Sequence, residues 1–295
     1  MSRKQAQQLA MIQDRDRSRL ENEGIKALRK LGLKFRVELI KAVRRGDDLR
    51  LVARELMEDM QPIIATGMMA AHLSGRLRSV RSAESVTRKS LSLAAGEPYA
   101  DAMSFLERRL NADGTALDIL RSKYSTESQN VLRLLGDEVN RSLDRVTAEI
   151  IQQNLPTRSA VNAMREALDR IGITNTSTHL LETTVRTQTQ IAYSAGRMNA
   201  NDDPAIQSIL WGYEYAAVGD TRTTDICLAL DGMRLLKINP SWQRLTPPNH
   251  YNCRSSLIEI FNGDALANPT AVPNVAPMAG FDFNPVALFS DLIAA

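Results

Sequence analysis

Two cysteines and three histidines in 295 residues leave few places where thiol and imidazole chemistry can meet, and residues 227–253 hold three of the five. In "PPNHYNCRSSL" (247–257) a proline pair leads into His250, Cys253 and Arg254, while Cys227 and Asp231 lie upstream in "TTDICLALDG". Proline lacks a backbone N–H and fixes φ, so 247–253 reads as a rigid turn and not as a helix. Three chemistries fit these residues. Cys227, His250 and Cys253 offer two thiolates and an imidazole to a structural zinc, with Asp225 or Asp231 as a further ligand. A Cys, a His and a carboxylate also make a nucleophilic set, with Arg186 or Arg222 to hold an anion. Neither cysteine lies in a recognised nucleophile signature, however, and there is no Gly-rich phosphate loop. The third chemistry is a closed polar network of Glu182, Arg186, Thr187, Asp220, Arg222, Thr223 and Arg254, in which carboxylates neutralise buried guanidiniums. Cys227 and Cys253 would then be small buried residues lying next to each other. This third reading asks least of the geometry, and the residue types alone leave all three open.

The elements that must position these groups are legible in outline. "STHLLETTVRTQTQIAYSAGRMNAN" (177–201) reads as a helix with Glu182, Arg186, Gln190, Tyr193 and Arg197 on one polar face. "SILWGYEYAAV" (208–218) is aromatic and β-branched enough for a strand, and "GDTRT" (219–223) is a turn. "TTDICLALDG" fits a two-turn helix capped by Thr223 or Thr224 and closed by Gly232. "MRLLKI" and "RSSLIEIF" complete a small antiparallel sheet. The N-terminal half reads as helix throughout. Val37, Ile40 and Val43 form one apolar stripe, and Leu49, Val52, Leu56 and Met60 form another. Gly46 separates the two, and Asp47 or Asp48 is the cap. A mostly apolar helix starts at Pro62 and carries His72, which is expected to be a core or surface histidine and not a functional one. Residues 115–153 give the longest helical signal, with "STES" (125–128) marking a break because Thr126 and Gln129 resemble a capping box. A further helix, 157–171, ends at Gly172. The fold class is therefore α+β: a mainly helical N-terminal region, then a small antiparallel sheet packed on helices, then an extended C-terminal tail.

Composition sets the outer bounds. Hydrophobic residues make up 43% and charged residues 24%, as in ordinary folded proteins, and no apolar run is long enough for a transmembrane helix. The polar start of the sequence does not read as a secretory signal, and two cysteines suit synthesis in the cytosol. The net charge of +3 does not by itself argue for nucleic acid. "RLRSVRSAESVTRK" (76–89) is nevertheless basic, and Arg76, Arg78, Arg81, Arg88 and Lys89 offer nonspecific phosphate contacts. A solvated helix surface explains the same charges more simply. From 262 onward the chain is rich in Ala, Pro, Asn and Gly and ends in "NPVALFSDLIAA". Asn284 and Pro285 would start a short helix whose Val286, Leu288, Phe289, Leu292 and Ile293 form a partner-docking face. A tail packed back on its own domain is the competing expectation.

Taken together, "ETTVRTQTQIAYSAGR", "YEYAAVGDTRTTDICLALDGMRL" and "PPNHYNCRSSLIEI" closely resemble the phage Mu F-like family, the minor head (head-morphogenesis) proteins of tailed bacteriophages. The signature positions carried over are Arg186, Thr187, Asp220, Arg222, Thr223, Cys227, Asp231, Gly232, His250, Cys253 and Arg254. The resemblance implies a structural virion protein, not an enzyme, made in the host cytoplasm and located in the capsid at the portal vertex. Its implied partners are the portal protein, other head proteins reached through the tail, and packaged DNA, with no membrane. On this reading residues 1–153 are a helical region for portal, DNA or partner contacts, 154–262 the Mu F-like domain, and 263–295 a tether with a docking helix. The competing class is a phage-encoded nuclease or transferase using the Cys/His/Asp/Arg cluster.

Overall fold

The structure is a computed structural model that describes residues 2–87, 115–174 and 179–287. Among these residues the elements run α1 (Arg3–Arg45), α2 (Leu49–Glu58), α3 (Gln61–Thr87), α4 (Thr115–Gln152), α5 (Thr157–Arg170), α6 (His179–Asn201), α7 (Pro204–Ile209), β1 (Leu210–Ala216), α8 (Asp225–Leu230), β2 (Arg234–Leu236), α9 (Trp242–Leu245) and β3 (Ser256–Phe261). The α+β expectation holds. The chain forms two compact units, and neither is continuous in sequence.

One unit takes Glu21–Gly67 and Ser122–Val185 and is helical. Its turns follow the predicted chemistry. Gly46 adopts a left-handed φ of 75°, and the Asp48 carboxylate accepts from the backbone N–H groups of Arg50 and Leu51 to cap α2. Two expectations need correction. Val37 is exposed, because the buried line of α1 runs through Leu28, Phe35, Leu39 and Ala42, one position away from the predicted stripe. "STES" does not break α4. Thr126 Oγ1 donates to the Ser122 carbonyl (3.1 Å) and Ser128 Oγ to the Ser125 carbonyl (2.7 Å), so these hydroxyls bond back along the helix instead of capping a new one. Along α4 the buried side chains Leu120, Tyr124, Val131, Leu135, Val139 and Val146 recur at the helical period, and Ile150 is half-buried.

The other unit takes Met1–Leu20, Met68–Arg121 and Arg186–Ala295 and contains the sheet. Its strand order is β2-β1-β3, antiparallel throughout, with Tyr213 paired to Leu235 on one side and to Glu259 on the other. One face carries Tyr213, Tyr215, Leu257 and Phe261 into a core shared with Trp242, Leu245, Met233, Cys227 and Cys253. On the other face Ala216 and Ile258 pack against Ala6 and Ala10. The start of α1 is therefore part of this sheet's core. Its buried positions, Ala6, Ala10, Gln13 and Arg17, recur at the helical period.

In the same unit α3 and α6 touch backbone to backbone. A Cβ on Gly75 would overlap the Tyr193 carbonyl, and one on Gly196 would overlap the His72 carbonyl, so both positions require glycine. His72 is fully buried at this crossing, and burial, helped by the Arg76 charge, pushes its pKa down to about 3. The tail from 262 to 287 has no sheet or α-helix and lies along its own unit. Thr270 pairs with the backbone of Arg234, the Met278 N–H donates to the Asn249 carbonyl (2.9 Å), and Phe281 stacks edge-on against Tyr251 at 4.8 Å.

Candidate functional site

The site is built on two short pieces of chain. Thr224 caps α8, its hydroxyl accepting from the Cys227 N–H, and this sets Cys227 in the first turn, facing inward. The second piece is the turn after α9, where the Pro247–Pro248 peptide is cis and Asn252 adopts a left-handed φ of 57°. The Cys253 N–H donates to the His250 carbonyl (3.3 Å), closing the turn so that both side chains return to Cys227. From α6, Thr187 Oγ1 accepts from the Asn252 N–H (3.3 Å) and Gln190 donates to the Ser255 carbonyl (3.1 Å). The Thr of the "VRT" helix is thus a clamp on the turn that carries His250 and Cys253.

The result is a buried three-residue cluster. Cys227 Sγ lies 3.8 Å from Cys253 Sγ and 3.1 Å from His250 Nε2, and Thr224 Oγ1 lies 2.9 Å from the same nitrogen. His250 Nδ1 faces the Tyr251 carbonyl at 2.7 Å. A carbonyl only accepts, so Nδ1 carries a proton, and Nε2 faces the sulfur and the hydroxyl. Tyr215, fully buried in β1, places its hydroxyl 3.3 Å from Cys227 Sγ and donates to Asn249 Oδ1 (2.8 Å).

The two sulfurs titrate as a unit with their charge on Cys227. Hydrogen bonding from Cys253 opposes the burial of Cys227 and, with help from His250 and Tyr215, holds it well below the usual thiol range. Burial pushes Cys253 well above that range, and the neighbouring Cys227 charge adds to the effect. Burial disfavours charge on His250, but the Cys227 sulfur outweighs it and raises the imidazole pKa. Burial likewise pushes the Tyr215 phenol up.

The other predicted residues divide. Among the described residues the metal-capable group is Cys227, His250 and Cys253. Asp231, expected as a ligand, is not part of it. Its Oδ1 accepts from the Ala217 N–H (2.9 Å) and its Oδ2 pairs with Arg3 at 2.5 Å. Asp220 accepts from the Arg222 N–H and from Thr223 Oγ1, and pairs with Arg254 through both carboxylate oxygens. That pairing comes first among the causes holding its pKa far below the carboxylate range. The "GDTRT" stretch is thus a self-bonded turn docked on Arg254, and the Arg222 side chain, 74% exposed, lies outside any buried network. Glu182 pairs with Arg29 at 2.7 Å, within the helical unit. Of the expected network, Asp220 pairs with Arg254, Glu182 pairs with Arg29, and Thr187 clamps the turn. Arg76 feels the carboxylates of Asp202 and Asp203 and is half-buried like Arg78, while Arg81 is exposed. Arg88 and Lys89 lie outside the described residues, as do Leu288, Phe289, Leu292 and Ile293 of the tail. Val286 is described, and its N–H donates to Asn284 Oδ1 (3.0 Å), the predicted cap.

The sequence reading missed a second buried cluster. Arg197 pairs with Glu259 and donates to Gln13, and Ser79 Oγ donates to the same glutamate (2.7 Å). Burial would push Glu259 up, but the Arg197 charge prevails and lowers it. The signal available was the lone acid in the otherwise apolar run "SLIEIF".

Residues 143–258 match a family model described as Phage Mu protein F like protein. Over that span, about two-fifths of its length, the chain is similar to phage Mu F-like proteins. The span contains every signature position from Arg186 to Arg254, and so the whole Cys227–His250–Cys253 cluster with its clamp. No curated protein and no solved structure matches the chain. The Mu F-like match supports a part in phage head morphogenesis, and no helix among the described residues is long and apolar enough to cross a membrane.

Proposed function

We propose that the chain is a structural minor head protein of a tailed bacteriophage, held at the portal vertex and assisting head assembly or genome delivery. The observation that carries this reading is how the Mu F-like signature residues are used. Asp220 and Arg254 hold each other, Thr187 clamps the turn, Asp231 holds Ala217 and Arg3, and Thr223 closes its own turn on Gly219 and Asp220. These are the duties of residues that fix a shape, and a fixed shape is what a subunit assembled at a defined place in a particle requires. The portal protein and neighbouring head proteins are its proposed partners, and contact with packaged DNA would be through phosphates and nonspecific.

Quantitative mass spectrometry of purified procapsids and of portal assemblies, scored against the portal subunit, tests this. A fixed ratio that survives high salt is the expected outcome. Absence of the chain from the particle would sink the reading and turn attention to a nuclease or transferase activity, with Cys227→Ala as the diagnostic variant.

A further inference from the structure

The buried cluster has the dimensions of a metal site. In a tetrahedral zinc centre with thiolate bonds of about 2.3 Å and an imidazole bond of about 2.0 Å, the S···S edge is about 3.8 Å and the S···N edge about 3.5 Å. The Cys227–Cys253 separation is 3.8 Å, the Cys227–His250 separation is 3.1 Å, and the three donor atoms all lie within 4.8 Å of one another. Admitting an ion therefore requires the Cys227–His250 edge to open by about 0.4 Å. The outer contacts suit a metal as well. The Tyr251 carbonyl fixes the proton on Nδ1, the arrangement that orients a ligating histidine, and leaves Nε2 free to bind. Two thiolates cancel a divalent charge, so the loaded centre is neutral in an interior where a lone charge would be costly. We propose that Cys227, His250 and Cys253 bind one zinc ion that ties α8 to the 247–253 turn.

The proposal does not depend on the portal reading, and it is tested on the full chain alone. After incubation with zinc sulfate and removal of excess metal, native mass spectrometry should show one zinc per chain. Cobalt in place of zinc should give the intense visible bands of a tetrahedral thiolate site. Cys253→Ser and His250→Ala should each lower zinc affinity by at least about tenfold. A ligand substitution can also unfold the chain, so the cobalt spectrum of the unsubstituted protein is the second, independent readout. A chain that stays at its bare mass after zinc treatment would overturn the proposal. So would a mass two hydrogens lower, which reports a Cys227–Cys253 disulfide, or undiminished zinc binding in both variants.

Discussion

Glu259 stands in the middle of a strand whose six residues are all buried, and Arg197 is what makes that tolerable. A carboxylate in such a place costs several kcal/mol unless it is paired, and losing one partner strands the other. Glu259→Ala should therefore destabilise the folded chain by about 3–5 kcal/mol, read as a lower urea midpoint, and adding Arg197→Met should recover part of the loss. How much a sequence discloses at this scale depends on scarcity. Cys227, His250 and Cys253 were legible because thiols and imidazoles are few in this chain. Asp231 was misread as a ligand because adjacency along the chain says nothing about where a carboxylate points. Here its oxygens are claimed by Ala217 and by Arg3, which lies 228 positions away. Arg197 could be placed on a polar helix face, but its partner on a distant strand could not be named.

At the scale of elements, the crossing of α3 and α6 decides the ionisation of His72. Gly75 and Gly196 let the two backbones meet, and His72, whose backbone abuts Gly196, is buried there. A histidine whose folded pKa is about 3, against 6.5 when exposed, binds fewer protons folded than unfolded throughout that interval. The stability this represents is complete above pH 6.5 and is lost as pH falls towards 3. Between about pH 7.5 and about pH 4.5 the chain should lose roughly 2–3 kcal/mol from this group alone. His72→Gln should flatten that part of the stability–pH curve, as measured by urea unfolding at each pH. The turns and caps around Gly46, Asp48, Thr224 and Gly232 were readable because their chemistry is local. The "STES" break and the Val37 stripe failed for the opposite reason. Hydroxyls that cap in one setting bond back along a helix in another, and which stripe is buried depends on what packs against it.

At the scale of the whole molecule, the tail answers a question the sequence had left balanced. Composition allowed either a free tether or a segment tied to its own domain, and residues 262–287 are tied by Thr270, Met278 and Phe281. A chain ending at residue 262 should consequently melt at a lower temperature, losing about 2 kcal/mol or more from the burial of Phe281 alone. A free tether could be removed with no change in melting temperature. The discontinuity of the two units was not legible at all, because nothing in a polar, charged opening segment says which distant strand it will cover.

That opening segment carries a consequence for synthesis. Ala6 and Ala10 close one face of the sheet against Ile258, and Arg3 reaches Asp231. These residues precede their partner on the last strand by some 250 positions, all of which must leave the ribosome in between. At roughly 5–20 residues per second that is a wait of about 12–50 s. The segment emerges early and must stay unengaged while its counterpart is translated, so the sheet-bearing unit can finish folding only as the last strand arrives.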